Sequence, residues 1–198
     1  GGALNIHTDN ATITDCRFID NSHMSGSGGA VYVRGDNFNI INTLFVNNTA
    51  NSYHGHAGAL YMFDGGNVYN CTFVNNTADF AGAIFNYGQA TIDECTFIDN
   101  AAIGDVSQYE DGTFCGGGAI YAADDTITNS RFFNNTGRFG AAIAFTSSGL
   151  TVDRCLFINN TATSPNGIIF GCAEGGSVSN SIFLNNHVNY GYIISTIF

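Results

Sequence analysis

Of all the side chains in this sequence, the acidic ones are the best candidates for binding a metal ion or catalysing a reaction. Carboxylates bind Ca²⁺, which takes several oxygen ligands at once, and two carboxyl groups about 5–10 Å apart hydrolyse glycosidic bonds. Since there is no regular Asp-x-Asp spacing, solvated surface charge is the competing interpretation. The candidates for a calcium site flank one loop and are Glu110, Asp111, Asp124 and Asp125.

Other groups give weaker indications of chemistry. Asp93 and Glu94 are chain neighbours in one predicted strand, so their side chains point differently. A lyase would need a base near calcium, and Arg131 is the nearest candidate. His23, His54 and His56 are predicted in loops of adjacent repeats, where they would form a metal site or simply be solvated. We therefore expect no catalytic residue and no cofactor, with Ca²⁺ as the alternative.

A motif that recurs seven times must position these residues. Each copy has a phenylalanine, an asparagine three residues later and an aliphatic residue five residues earlier. Each also opens with a Gly-Ala-aliphatic run such as Gly29-Ala30-Val31, although the last three openings are degenerate. The motif residues are Phe18, Phe45, Phe73, Phe97, Phe132, Phe157 and Phe183, followed by Asn21, Asn48, Asn76, Asn100, Asn135, Asn160 and Asn186.

The repeat predicts a solenoid. Its apolar runs are short, β-branched or aromatic, and separated by Gly, Asn and Asp, which is typical of strands and turns. About 25 residues with three short strands make one coil of a parallel β-helix, and coils stack about 4.8 Å apart. We expect an all-β, right-handed β-helix of about seven coils with uncapped ends. Asp20 and Asp99 then share a column but lie three coils, roughly 14 Å, apart.

Stacking also predicts what each column does. The phenylalanines fill the core, and the asparagine amides are chained from coil to coil. Residues 1–198 read as one segment of a longer array. The one long spacing, between Phe97 and Phe132, marks an inserted loop at residues 103–115.

A column of small residues contains four of the six cysteines. Cys71 and Cys95 fall on adjacent coils, where a separation of about 4.8 Å exceeds the usual disulfide range, so we expect buried thiols. Cys115 and Cys172 lie off the column and would pair only after rearrangement or with another chain. No spacing resembles a zinc motif. The column is Cys16, Thr43, Cys71, Cys95, Ser130, Cys155 and Ser181.

Two further sets of residues point to a surface role. An aromatic column follows the Gly-Ala-aliphatic runs, and we expect it to be partly buried rather than an open platform for sugar rings; it is Tyr32, Tyr61, Phe85, Tyr121 and Phe170. Asn-x-Thr sequons, which are glycosylation candidates in an exported chain, occur at Asn10, Asn47, Asn70, Asn75, Asn134 and Asn159.

Composition excludes some partners. The chain has five arginines, no lysine and a net charge of −11, which argues against nucleic acid and anionic lipid. No apolar stretch reaches the roughly 18–20 residues of a membrane span, so we expect no membrane insertion in this segment. The first residues already belong to a repeat and the last begin an incomplete one, which predicts end-to-end self-association promoted by salt.

The repeats resemble a known class of surface proteins. Gly117-Gly118-Ala119-Ile120-Tyr121 and Cys71-Thr72-Phe73-Val74-Asn75-Asn76-Thr77-Ala78 are similar to the repeats of adhesin-like proteins of methanogenic archaea. The GGAI and FxxN motifs also resemble chlamydial polymorphic outer-membrane protein passenger domains. The resemblance covers essentially the whole chain and implies a secreted, surface-attached β-helix.

These observations predict a non-enzymatic extracellular adhesin or stalk that binds a cell-surface glycan or protein. One alternative is a β-helix that binds or cleaves polysaccharide, which an exposed acidic pocket beside an arginine would favour. The other is a self-assembling cell-envelope protein.

Overall fold

The computed structural model of the protein describes residues 1–50, 55–104, 116–164, 166–171, 175–189 and 191–196. All regular structure in these ranges is β-strand. Most strands are three residues long because the β-branched and aromatic residues come in threes, between residues that favour turns.

The strands follow one another in the same order in every coil. The first coil has β1 (Leu4–Ile6), β2 (Thr12–Thr14), β3 (Arg17–Ile19) and β4 (Ser22–His23). The next two have β5 (Val31–Val33), β6 (Asn39–Ile41), β7 (Leu44–Val46), β8 (Thr49–Ala50), β9 (Leu60–Met62), β10 (Gly65–Tyr69), β11 (Thr72–Val74) and β12 (Thr77–Ala78). The fourth and fifth have β13 (Ile84–Asn86), β14 (Gln89–Asp93), β15 (Thr96–Ile98), β16 (Ala101–Ala102), β17 (Ile120–Ala122), β18 (Thr126–Thr128), β19 (Arg131–Phe133) and β20 (Thr136–Gly137). The remaining strands are β21 (Gly140–Phe145), β22 (Thr151–Asp153), β23 (Leu156–Ile158), β24 (Thr161–Ala162), β25 (Gly167–Gly171), β26 (Ser177–Ser179), β27 (Ile182–Leu184), β28 (His187–Val188) and β29 (Ile194–Thr196).

Equivalent strands of successive coils form four parallel sheets, which we number by their order within a coil. The first sheet runs β1-β5-β9-β13-β17-β21-β25-β29, and the second runs β2-β6-β10-β14-β18-β22-β26. The third and fourth sheets begin with β3 and β4 and have seven strands each. The chain therefore forms the predicted parallel solenoid, with four short strands per coil instead of three. The fourth strand is the two-residue segment that follows each motif asparagine, and it is Thr-Ala in β8, β12 and β24.

The corners between sheets explain the recurring Asn and Asp residues. At the corner between the third and fourth sheets, Asn47 and Asn75 have φ values of 55° and 53°, in the left-handed region. Asn and Asp tolerate this conformation better than other non-glycine residues. Every coil repeats it here and at the corner between the second and third sheets, so both columns consist mainly of Asn and Asp; Glu94 and Arg154 are the exceptions among them.

The phenylalanine column fills the interior, as the sequence predicts. Phe73 pairs in register with Phe45 and Phe97, and its ring stacks on theirs at centroid distances of 4.8 and 5.0 Å. The stack continues through Phe132, Phe157 and Phe183. These parallel rings form the centre of a continuous hydrophobic core.

A second hydrophobic layer lies on the outer face of the first sheet. Tyr61 and Phe85 stack at 5.5 Å, and Phe85 and Tyr121 stack at 4.2 Å. Ala57, Phe80 and Ala81 from the segments before the first-sheet strands pack against them. Partial burial, expected for this aromatic column, therefore holds for Tyr32 alone; Tyr61, Phe85, Tyr121 and Phe170 are buried.

Candidate ligand-binding groove

The two internal polar columns are structural. Asn76 is fully buried, and its backbone N–H and Nδ2 both donate to Asn100 Oδ1, at 3.0 and 2.9 Å. Nδ2 also donates to the carbonyl of Phe45. The same three bonds recur from coil to coil, as the sequence predicts for this column. These amides therefore pair with buried polar groups of the corner and are not available to a ligand.

The cysteine column is structural too. Cys71 and Cys95 are buried free thiols, as expected; Cys155 is also a buried thiol, whereas the thiol of Cys16 is exposed. The column does more than accommodate a small side chain, because Cys95 N–H donates to Ser130 Oγ and Thr43 N–H to Cys71 Sγ. Burial raises the pKa of Cys155 to about 11, which keeps that thiol protonated and unreactive. Cys115 and Cys172 lie outside the described residues.

The acidic candidates do not form one site in the part of the chain that is described. Asp124 is exposed and accepts a hydrogen bond from Gly149 N–H, whereas Asp125 is fully buried. The two carboxyl groups point in opposite directions because adjacent residues of an extended segment alternate. Glu110, Asp111 and most of the predicted 103–115 insertion lie outside the described residues.

Asp125 is a polar residue in an otherwise apolar column of the core. Its Oδ1 accepts from Asn86 Nδ2 at 2.6 Å and from Ala90 N–H at 3.0 Å. Within the described ranges, its Oδ2 and Asn86 Oδ1 are buried without a hydrogen-bond partner. Burial raises the pKa of Asp125 to about 8, so the carboxyl group is mainly protonated at neutral pH.

Of the three candidate histidines, the structure describes His23 and His56. His56 Nδ1 lies 2.7 Å from Ser27 Oγ, and its ring stacks on Phe80 at 5.3 Å in the second hydrophobic layer. His23 is half-buried in β4, and His54 lies outside the described residues. No group of three or more His, Cys, Asp or Glu side chains in the described ranges has the arrangement of a metal site.

Several other acidic residues, among them Asp20, Asp93 and Glu94, belong to exposed ladders. Asp93 accepts from Thr128 and Asn129 at 2.6 and 2.7 Å, and Asp20 accepts from Asn47 Nδ2. Glu94 accepts from the Tyr69 hydroxyl, which raises the pKa of Tyr69. Arg131 is exposed on β19 of the third sheet.

The six sequon asparagines share one environment. All are exposed, and all have positive φ, between 49° and 58°. Asn75 Nδ2 donates to Asn47 Oδ1 and Asn70 Nδ2 to Asn42 Oδ1, so these two amides also join the exposed ladders. The six are Asn10, Asn47, Asn70, Asn75, Asn134 and Asn159.

A groove at the corner between the first and second sheets has a different lining. One part, of about 410 Å³, is lined by Asp36, Asn37, Asp64, Gly66, Asn67, Gln89 and Thr91. The adjoining part, of about 340 Å³, is lined by His7, Asp9, Arg34, Gly35 and Asp64. Because Asp64 lines both parts, we treat them as one feature and call it the side groove.

Exposed aromatic rings flank the side groove. Phe63 and Tyr87 are 39% and 44% exposed, and their ring centroids lie 6.0 Å apart. The Arg34 guanidinium lies 5.0 Å from the Phe63 ring centroid. An acidic pocket beside an arginine, the feature that favours a β-helix that binds or cleaves polysaccharide, is therefore present.

Sequence analysis did not find the side groove. The sequence pattern that could have predicted it is an Asp-Asn pair that recurs after the first-sheet strand, in Thr8-Asp9-Asn10 and Gly35-Asp36-Asn37. The third coil has Asp64-Gly65-Gly66 at this corner. The Phe and Asn columns that defined the repeat belong to the third sheet and the corner that follows it, so they carry no information about this corner.

Comparison with protein families identifies the class of fold. Residues 2–196 match the family described as the right handed beta helix region, and the chain belongs to that family. This match confirms the predicted right-handed parallel β-helix. No curated protein and no solved structure matches the chain. The described residues contain no helix long and apolar enough to cross a membrane.

Proposed function

We propose that the protein is a non-enzymatic extracellular scaffold, an adhesin or stalk, that presents the side groove to a ligand. The observation that carries this proposal is the division of polar groups between two uses. The internal amides and the exposed ladders stabilise the coils, whereas the side groove leaves carboxylates and an amide open to solvent. Polar groups of that kind at a concave surface are typical of binding sites.

The positions of the carboxyl groups support binding rather than catalysis. A glycosidase keeps one carboxyl group protonated by an apolar environment so that it can act as an acid. Among the described residues, the carboxyl group with that property is that of Asp125, whose pKa is about 8, and it is enclosed in the core. Asp9, Asp36 and Asp64 are exposed to water.

Export and surface attachment are part of the proposal. The six exposed sequons and the resemblance to adhesin-like repeats support an extracellular location. Three of the four described thiols, Cys71, Cys95 and Cys155, are buried in an acceptor column, so they do not indicate a reducing compartment. We also propose that the protein is archaeal, that it is glycosylated and that it acts in surface adhesion.

The enzymatic alternative has a direct test. We expect no release of products from pectin, other acidic glycans or neutral glycans, with or without Ca²⁺. The assay measures new reducing ends and unsaturated products over long incubations, with Asp64→Asn as the matched groove variant. Product release by the unmodified chain that is lost in Asp64→Asn would establish catalysis and overturn the scaffold proposal.

A further inference from the structure

The side groove holds hydrogen-bonding groups that the fold does not use. The side chains of Asp36, Asp64 and Gln89 make no hydrogen bond to the described residues, although Asp36 N–H donates to Asp9 Oδ1 at 2.9 Å. The amides of Asn37 and Asn67, which also line the groove, are chained to Asn10 and Asn39 of the preceding coil, as Asn47 and Asn75 are chained at the corner between the third and fourth sheets. Carboxylate and amide oxygens that stay unpaired at a concave surface are acceptors for hydroxyl groups of a ligand.

Tyr87, one of the two aromatic rings beside these acceptors, is held by the core. Tyr87 packs edge-on against Phe85 at 5.0 Å and against Tyr61 at 6.1 Å. Both partners belong to the second hydrophobic layer, so one side of Tyr87 is fixed and the other remains open. A fixed aromatic surface binds apolar faces with little loss of conformational entropy. Pyranose rings combine such a face, made of C–H groups, with hydroxyl groups at the edge.

Charge selects among saccharides. The groove has three carboxylates, on Asp9, Asp36 and Asp64, against the single guanidinium of Arg34. The chain as a whole carries a net charge of −11. Uronic acids and sulfated sugars would meet like charge at short range, which is unfavourable, whereas neutral sugars offer hydroxyl donors to the same carboxylates.

The groove extends along the axis of the solenoid. His7 and Asp9 lie in the first coil, Arg34 and Asp36 in the second, Asp64 in the third and Gln89 in the fourth. Three spacings of about 4.8 Å give a length of roughly 14 Å, enough for several sugar rings. We infer that the side groove binds a neutral oligosaccharide along the axis, stacked on Phe63 and Tyr87. This inference rests on the proposed function, because it names the ligand class of that scaffold.

The test uses the 198-residue chain and defined hexasaccharides. Cellohexaose, xylohexaose, mannohexaose and hexagalacturonic acid are titrated calorimetrically, each with calcium and with chelator. We expect at least one neutral hexasaccharide to bind, without need of calcium, and hexagalacturonic acid not to bind. The Asp36→Asn/Asp64→Asn double variant and Phe63→Ala should each weaken binding about tenfold or more, the loss expected when an aromatic or charge-assisted contact is removed.

Matched controls separate binding from folding. Asp99→Asn removes an exposed carboxylate outside the groove, at a column where Asn47 and Asn75 already place asparagine. Phe133→Ala removes a half-buried ring from the third sheet. Both should bind as the unmodified chain does, and all variants should keep its far-ultraviolet circular dichroism.

The outcomes separate this inference from the proposed function. Absence of binding up to about 10 mM, equal binding by the groove variants, or binding of hexagalacturonic acid alone with calcium overturns the neutral-saccharide assignment. None of these results shows catalysis, so the scaffold proposal survives them. Cleavage of a neutral hexasaccharide bound in the groove overturns the scaffold proposal and leaves the groove assignment intact.

Discussion

At the scale of single residues, each internal asparagine should contribute strongly to the free energy of unfolding, because one side chain pairs several buried groups. Asn100→Ala removes the acceptor for Asn76 N–H and Nδ2 and the donor to the Phe73 carbonyl. Each buried group left unpaired costs about 1–3 kcal/mol, so we expect a loss of about 3–5 kcal/mol in urea unfolding. Thr96→Ala, at a half-exposed site in the same coil, should cost less than about 1 kcal/mol. Similar losses for both would contradict the structural role of the column.

Asp125 predicts an unusual dependence of stability on pH. Its pKa is about 8 in the folded chain, against about 4 for an unfolded carboxyl group. The folded state therefore binds this proton more tightly, and the resulting stability is complete below about pH 4 and is lost as the pH rises to about 8.

The size of the effect follows from the pKa difference, on the order of 5 kcal/mol as an upper limit. Asp125→Asn removes the titrating group. The melting temperature of the unmodified chain should therefore fall from pH 5 to pH 8 more steeply than that of the variant. Parallel curves for the two proteins would show that Asp125 is not protonated in the core.

Residue roles were predictable from the sequence where a column repeats them. The seven phenylalanines and asparagines share one environment, so one physical argument covers every copy. Asp125 was not predictable, because a single acidic residue beside Asp124 looks like surface charge. Its burial follows from register: it continues the inward-facing column of Ala90 and Leu150. The side groove was missed because its residues recur in two or three coils only.

At the scale of elements, the strands of the third sheet give the main test of the stacked core. Phe97 stacks between Phe73 and Phe132 at 5.0 and 4.8 Å. Phe97→Ala should therefore cost about 3–5 kcal/mol. Cys95→Ser should cost much less, because Ser130 already supplies a hydroxyl acceptor in that column. Equal shifts in melting temperature would be inconsistent with both assignments.

The corners offer a stabilising substitution. Arg154 has φ 52° at a position that other coils fill mainly with Asn or Asp. Arg154→Asn suits the left-handed conformation better and keeps a donor for Asn129 Oδ1, which Arg154 Nε contacts at 2.9 Å. We expect a gain of about 0.5–1 kcal/mol in chemical unfolding. Arg131→Asn, the same exchange in the middle of strand β19, should give no gain, because asparagine is a poor strand former.

At the scale of the whole molecule, the hydrogen-bond ladders are directional. Each internal asparagine donates its N–H and Nδ2 to the Oδ1 of the following coil, as Asn21 does to Asn48 and Asn160 to Asn186. In the described part of the chain, Asn186 N–H therefore finds no acceptor and Asn21 Oδ1 finds no donor. The last coil of one copy is complementary to the first coil of another, which supports head-to-tail rather than head-to-head stacking.

This polarity leads to a prediction about association of the 198-residue chain. The exposed strands β26 to β28 should pair with β2 to β4 of a second copy, whose β1 must then displace β29 from its place beside β25. The net charge of −11 on each copy opposes this pairing. Salt screens that repulsion, with a Debye length of about 10 Å at 0.1 M and about 3 Å at 1 M, so light scattering should rise with ionic strength. Asn186→Asp replaces the donating amide with a carboxylate and should suppress the rise, whereas Asn185→Asp, at the exposed corner where Asp20 and Asp99 already occur, should not. If the chain stays monomeric at high concentration and high salt, or if both variants behave alike, stacking through the asparagine ladder does not occur.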